Sequence, residues 1–367
     1  MTVMDERRSA VRDAGATALG LVAGVAVDAL LGDPRRGHPV ALYGNAVSAL
    51  ERRCYAPSRA RGAAFTTVAV AAPVLAGAVA QRLTRRRPLA RAATVAVATW
   101  AVLGGTSLRR EARAMAEALE RDDLTAARAR LSHLCARDPE GLGRDEMTRA
   151  TVESVAENTG DAVVAPLFWG AVAGVPGLLG YRAVNTLDAM VGYRSARYAA
   201  FGWASARLDD MANWIPARLT AALTGLVAPV VGGDPLETWA VWRRDGGAHP
   251  SPNAGQCEAA AAGALGIRLG GANIYHGRAE LRPALGHGPS PEVFDIGRAA
   301  TLSAAVGVAA VTVGAIGVAA VGVGAIGVGA AGLAFTQLGA MLPGRRRHAQ
   351  SPLGAAFQSR RRVVSPR

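Results

Sequence analysis

Apolar residues occur in blocks that charged stretches separate, and this pattern is typical of a membrane protein with several spans. A helix needs about 17–25 apolar residues to cross a bilayer, and several blocks are near the lower end of that range. Some of them are therefore expected to be re-entrant or buried helices rather than full spans. The candidate spans are residues 16–31, 63–80, 88–104, 162–180, 215–232 and 299–335.

Two polar regions, residues 107–160 and 234–297, are expected to form helical segments outside the membrane. Ser107, with Glu111 close behind, is a candidate N-cap for the first helix of these regions. The pattern predicts an all-α fold: a multi-pass transmembrane helical bundle with polar helical loops. Residues 1–342 are expected to be a single membrane domain, and the basic residues 343–367 a disordered tail.

Asp161 has two possible roles that the sequence leaves open. The preceding Asn-Thr-Gly, residues 158–160, is expected to end one helix. Asp161 is then either the N-cap of the apolar segment that follows or a ligand in a site. The role of Asp28 is also left open. A charge inside a span costs about 2.5–3.5 kcal/mol on insertion scales, which favours a functional role, yet Asp28 is close enough to the exit loop to reach it.

The basic residues exclude the kinds of active site that depend on lysine. The net charge is +13 and every basic residue is arginine, because the chain contains no lysine. A P-loop lysine and a Schiff-base lysine are therefore excluded. The arginines flank the apolar blocks, for example at residues 82–87 and 345–347, which indicates anchoring at the membrane rather than nucleic-acid binding. Cys54, Cys135 and Cys257 form no paired motif and are expected to be free thiols.

A tandem repeat lengthens the last apolar block. Residues 307–316 and 317–326 are identical at nine of ten positions. The repeat is rich in glycine, alanine and valine, which suits close helix packing. We expect it to extend a span without a chemical role.

Acids, amides and arginines cluster between residues 151 and 218, beside segments apolar enough to enter a bilayer. Clustered oxygen ligands suit Mg²⁺, and arginines suit phosphate. Mg²⁺ usually takes only one or two carboxylates, so some of these acids are expected to pair with arginines instead. No zinc pattern is present, and neither zinc nor haem is expected. The candidates are Glu153, Glu157, Asp188 and Asp209 for catalysis, Glu153, Glu157, Asp209, Asp210 and Asn213 for metal, and Arg182, Arg194, Arg207, Arg218, His249 and Asn253 for substrate or phosphate.

Six motifs over about residues 20–300 closely resemble, in content and order, the CobD/CbiB family of cobalamin-biosynthesis membrane proteins. Six long motifs in one order are far more specific than any single short pattern. The tandem repeat and the basic tail depart from the family pattern but touch none of the motifs. The motifs read GDPRRGHPV, TVESVAENTGDAVVAPLFW, YRAVNTLDAMVGY, FGWASARLDDMANWIPARL, HPSPNAGQCEAAAAGAL and RLGGANIYHG.

The resemblance implies an amide-forming ligase, adenosylcobinamide-phosphate synthase, in the cytoplasmic (inner) cell membrane. Such an enzyme joins (R)-1-aminopropan-2-ol, or its O-phosphate, to the propionate carboxyl of side chain f of adenosylcobyric acid. ATP would be the cosubstrate and Mg²⁺ the metal. The expected partners are the corrinoid, the amino alcohol, the lipid bilayer and other cobalamin-assembly enzymes, with no nucleic acid.

Two other classes of function remain as alternatives. A membrane Mg²⁺-dependent prenyl or phospho-alcohol transferase would also place acids at helical spacing, but its repeated D-x-x-x-D pattern is absent, since Asn213 stands four residues after Asp209. A transporter would show internal repeats of broken helices, and the sequence shows no such symmetry.

Overall fold

The structure is a computed structural model that describes residues 3–34, 37–135, 139–275 and 278–341. Residues 1–324 form one compact unit and residues 325–367 a second. The predicted tail, residues 343–367, lies outside the described residues. The features below belong to the first unit.

The described chain is almost entirely helical, with one two-stranded sheet. Short irregular turns interrupt the helices at two places, a π-helical turn at Gly160–Val164 and a 3-10 turn at Ala228–Val231. The elements are α1 Val3–Leu31, α2 Pro39–Cys54, α3 Arg59–Thr84, α4 Pro88–Val102, α5 Gly105–Glu120, α6 Leu124–Leu131, α7 Arg144–Thr159, α8 Ala165–Ala173, α9 Val175–Val191, α10 Tyr198–Phe201, α11 Trp203–Ala212, α12 Trp214–Val227, α13 Pro235–Asp245, α14 Ala254–Leu265, β1 Leu269–Tyr275, β2 Arg278–Leu285 and α15 Val293–Met341.

Among the described residues, five helical segments are long and apolar enough to cross a membrane. They correspond to five of the six expected spans, and they confirm the prediction of an all-α, multi-pass membrane bundle. The segments are Ser9–Leu31, Arg59–Thr84, Pro88–Glu120, Trp214–Val231 and Val293–Val321.

The sixth candidate span, residues 162–180, is not one continuous helix and is not among these five segments. Gly174 adopts φ +66°, a backbone conformation that glycine accepts most readily, and Pro176 stands in the first turn of α9. The segment is thereby divided into α8 and α9, which fold back on each other so closely that a Cβ on Gly170 would lie 2.8 Å from Leu178 Cδ2. The apolar pattern predicts the burial of this segment but cannot show its break.

At two expected helix boundaries the structure also differs from the sequence prediction. Helix α5 begins at Gly105 rather than at Ser107, because Asp28 of α1 supplies the cap: its Oδ2 accepts hydrogen bonds from the amide and the hydroxyl of Thr106, at 3.1 and 3.0 Å. Helix α7 ends at Thr159, but the helical path does not stop there, since Gly160 keeps helical dihedrals (φ −63°, ψ −57°) and begins the π turn. Asp161 therefore lies inside a continuous helical path and is not an N-cap.

Part of the polar region 234–297 is not helical. Strands β1 and β2 pair antiparallel, with an irregularity between Leu269 and Gly271. Gly270 and Gly271 have φ +87° and +102°, which side-chain-bearing residues rarely adopt. A bulge at this point bends the β-hairpin against α7.

The described residues include three hydrophobic cores. The first joins α5, α6, α7, α14 and the start of α15, with Met115 and Met147 fully buried. The second joins α1, α4, α8, α9 and α15, and it includes Val163 of the π turn. The third joins α2, α3, α9 and α10 around Phe201. Because the second core joins the π turn to helices distant in the chain, long-range packing helps to fix the position of the turn.

Candidate active site

The π turn lies where two candidate spans end. Helix α1 ends at Leu31 and α4 at Val102, and the Gly104 amide between α4 and α5 donates a 3.1 Å hydrogen bond to the carbonyl oxygen of Ala162. One-turn π bulges within helices are frequent at functional sites. The turn places Asp161 next to the junction of α4 and α5.

A hydrogen-bond network connects Asp161 to Asp209. The Tyr181 hydroxyl lies 3.0 Å from the carbonyl oxygen of Asp161 and donates a 2.8 Å bond to Oδ1 of Asn213. Asn213 Nδ2 donates to Asp209 Oδ2 at 3.0 Å, and Asn185 Nδ2 donates to Asp161 Oδ2 at 3.4 Å. Helices α9, α11 and the π turn therefore orient the two carboxylates together.

The carboxylates repel one another. Burial raises the pKa of Asp161 well above its usual value, and the charges of Asp209, Glu157 and Asp188 raise it further. Burial, followed by the charge of Asp188, also raises the pKa of Asp209. The pKa of Asp188 is raised to about 6, first by burial and then by Asp210. Such a cluster binds protons or a cation more readily than an isolated carboxylate does.

Four of the sequence-predicted residues, Glu157, Asp188, Asp209 and Asn213, come together in this cluster. Asp210 is adjacent to it: its carboxylate lies 3.6 Å from Arg207, and its carbonyl oxygen accepts a 2.8 Å bond from Asn253 Nδ2. Arg182 is half-buried beside the cluster and interacts electrostatically with Asp161.

Glu153 has a different environment. Its side chain is buried, and Oε1 accepts a 2.7 Å hydrogen bond from the Gly270 amide of the β-hairpin. Arg149, one turn earlier on α7, donates to the carbonyl oxygens of Gly270 and Ala272. Glu153 and Glu157 lie one turn apart on α7, but Glu153 binds the β-hairpin, whereas Glu157 is exposed.

The other predicted phosphate-binding residues are separate from one another. Arg194 and Arg207 are exposed, and Arg218 lies 4.2 Å over the Trp214 ring and donates to the Trp214 carbonyl oxygen. The His249 side chain is 4% exposed, and its Nδ1 accepts a bond from the Ser251 amide. Its Nε2 contacts Arg282 and lies 3.8 Å from Glu258.

Among the described residues, the buried oxygens without a hydrogen-bond partner include Asp209 Oδ1 and Asn253 Oδ1. In the described part of the chain, no three acidic, histidine or cysteine side chains form a metal-binding group. Mg²⁺ needs fewer protein ligands than that, because water and substrate phosphates complete its coordination. Asp209, with a partnerless oxygen and a like-charged neighbour in Asp161, fits a site of this kind.

Three residues that complete the cluster were not among the predicted site residues: Tyr181, Asn185 and Cys257. Tyr181, Asn185 and Asp188 are spaced i, i+4 and i+7 on α9, so this spacing could have identified Tyr181. Cys257 is buried against Gly160, whose Cβ would lie 3.0 Å from its Sγ. Nothing local in the sequence indicates that contact.

A model of the protein family described as CobD/Cbib protein matches residues 21–303. The chain belongs to the CobD/CbiB family. This finding confirms the resemblance that the six motifs indicate. The match includes every residue of the acidic cluster and ends before the tandem repeat.

Several curated relatives carry the name Cobalamin biosynthesis protein CobD. The protein from Mycobacterium tuberculosis H37Rv is 55% identical over 290 residues, which cover 79% of this chain and 92% of the relative. The Geobacter metallireducens protein is 45% identical over 281 residues, 75% of this chain and 87% of the relative. The Rhodobacter capsulatus protein is 40% identical over 290 residues, 77% and 91% of the two chains. No solved structure matches this CobD/CbiB chain.

Proposed function

We propose that this CobD/CbiB protein acts in cobalamin biosynthesis as an amide-forming ligase. It joins (R)-1-aminopropan-2-ol, or its O-phosphate, to the propionate carboxyl of side chain f of adenosylcobyric acid, with ATP as cosubstrate. The family and the names of its relatives support the pathway. The observation that supports the chemistry is the acidic cluster around the π turn, at the end of the membrane-spanning helices.

The proposed reaction has two steps. The substrate carboxylate first attacks the γ-phosphorus of ATP, and the bond to the bridging oxygen breaks to leave ADP and an acyl phosphate. The amine nitrogen then attacks the acyl carbon, inorganic phosphate leaves with the C–O bonding electrons, and the nitrogen loses a proton. An amide, ADP and phosphate are the products.

The acidic cluster suits the proton transfer of the second step. An amine is mostly protonated near neutral pH and must lose a proton before it can attack. A general base works best when its pKa lies near the working pH. Burial raises the pKa of Asp188 to about 6 and also raises the pKa of Asp209. In this proposal Asp188 accepts the amine proton.

Charge on the phosphates must be neutralised without lysine. Asp209 and Asp161 would hold Mg²⁺, which when bound offsets the negative charge of the phosphoryl oxygens. Arg182 interacts electrostatically with Asp161, and it would face the same phosphates. The corrinoid would approach from the cytoplasmic face of the inner membrane, where ATP is available.

Membranes that contain the protein provide the test. They would be incubated with adenosylcobyric acid, ATP, Mg²⁺ and either aminopropanol or its phosphate, and the products separated by mass spectrometry. We expect a cobinamide amide that forms only with ATP, together with stoichiometric ADP. Membranes that contain the Asp209→Asn variant instead of the wild-type protein are the matched control. Product formation without ATP, or no amide with either amine, would contradict the proposal.

A further inference from the structure

Arg182 is a half-buried cation that forms no hydrogen bond or ion pair through its guanidinium in the described part of the chain. Its Nε is buried without a partner. Burial lowers the pKa of Arg182, while Tyr181, Asp33 and Asp161 raise it from a distance. Desolvating a guanidinium is costly unless an anion binds it. The side chain is therefore positioned for an anion that is not part of the protein.

The loop after α1 brings a second arginine to this place. Asp33 interacts electrostatically with Arg182 and lies 3.3 Å from His38 Nε2. The neighbouring Gly32 is so close to the Arg110 guanidinium that a Cβ there would clash with it. Arg110 is exposed on α5 and so has hydrogen-bond donors available for a ligand.

Arg109 completes the group from the same helix. Its Nη2 donates a 2.9 Å bond to Thr106 Oγ1, which in turn donates to Asp28. Gly105 lies between Arg109 and the π turn, since a Cβ on Gly105 would lie 3.3 Å from Arg109 Nη1 and 3.2 Å from Val163 Cγ2. Arg109 thus lies between the Asp28 cap and the turn that bears Asp161.

We propose that Arg182, Arg109 and Arg110 form a binding site for a phosphate group beside the acidic cluster. Arginine suits this role because its planar donors bind phosphate oxygens in pairs. The proposal rests on the function proposed above and extends it. It assigns the phosphate to the side where α1 and α4 end, rather than to the exposed Arg194 and Arg207.

Either substrate could supply the phosphate: the phosphate ester of the amino alcohol, or the polyphosphate of ATP. A direct measurement of ligand binding, in which no reaction takes place, distinguishes these two sources. The full-length protein in lipid nanodiscs would be titrated calorimetrically with 1-aminopropan-2-ol O-phosphate, with free 1-aminopropan-2-ol, and with ATP, each in the absence of corrinoid. The variants are Arg182→Gln and Arg182→Lys. The matched control is Arg85→Gln, which removes an exposed arginine that directly follows α3.

If the ester occupies the site, the wild-type protein should bind the ester at least about tenfold more tightly than the free amino alcohol, because a charge-assisted contact of this kind contributes about 1.4 kcal/mol or more. Arg182→Gln should bring that ratio close to one, Arg182→Lys should restore part of it, and Arg85→Gln should leave it unchanged. If Arg182→Gln weakens ATP binding instead, the same site holds the polyphosphate.

Unchanged affinities for both ligands in folded Arg182→Gln protein would overturn the proposal, and Arg182 would then only balance Asp33 and Asp161. A wild-type protein that binds neither phosphate compound more tightly than the free amino alcohol would overturn it too. Circular dichroism and the thermal midpoint verify folding. The membrane assay for amide formation is independent: phosphate binding that depends on Arg182 without any ligase activity would refute the proposed function and leave the phosphate site intact.

Discussion

Replacing Glu153 with glutamine should leave the β-hairpin in place, whereas alanine should release it. Glu153 is 2% exposed, and its Oε1 accepts the Gly270 amide hydrogen at 2.7 Å. Glutamine retains an acceptor oxygen, so the loss is that of charge assistance, about 1 kcal/mol. Alanine leaves a buried amide without a partner, which costs about 1–3 kcal/mol.

Hydrogen–deuterium exchange measures this difference directly. Alanine should speed the exchange of hairpin amides between residues 269 and 285 by about 5- to 150-fold, since 1.4 kcal/mol corresponds to a factor of ten. The glutamine variant should exchange only slightly faster than wild type and retain most of its ligase activity. Asp209→Asn is the matched comparison, because it should leave hairpin exchange unchanged.

The ligase activity of the Glu153→Gln variant shows whether Glu153 only anchors the β-hairpin or also binds a metal ion. If Glu153→Gln shows normal hairpin exchange but is as inactive as Asp209→Asn, the negative charge itself is required. Glu153 would then be a metal ligand, as its spacing with Glu157 predicts, and the anchoring role inferred from the structure would be secondary.

Four further predictions concern the acidic cluster and the repeat. Asp209→Asn should lower amide formation at least about 100-fold, the lower range for losing one electrostatic contact to the transition state, with normal membrane insertion on immunoblots; near-normal turnover would exclude Asp209 from the site. The rate should rise between about pH 6 and 7 as Asp188 (pKa about 6) and Asp209 (pKa about 7) ionise, and a flat profile from pH 5 to 8 would contradict this. The folded-state pKa of Asp188 is raised, so protonated Asp188 stabilises the fold at low pH. That stabilisation is fully present below about pH 4 and is lost as the pH rises through 6, so the thermal midpoint should fall over that interval. Deleting residues 317–326 should preserve both insertion and complementation of a cobalamin auxotroph, since about 27 of residues 299–335 remain and about 20 suffice to span; an inserted protein that fails to complement would give the repeat a role.

The sequence alone predicted the features that depend on local pattern. Apolar blocks identified five helices able to span the membrane, because crossing a bilayer requires a long run of apolar residues. Long motifs identified the family. Helical spacing placed Asp209 and Asn213 on one face of a helix, and the structure shows them hydrogen-bonded at 3.0 Å.

Tertiary structure alone decided which faces meet. The bond from Gly270 to Glu153 spans 117 residues of sequence, and the bond from Thr106 to Asp28 spans 78. The spacing of residues in the sequence shows that a carboxylate faces inward from its helix, but it does not show which residue of another element the carboxylate contacts. The π turn at Asp161 is likewise held by packing against Gly104 and Cys257, distant in the chain. Helical propensity is a local property, whereas the choice of partner for a buried charge depends on how all the helices pack together.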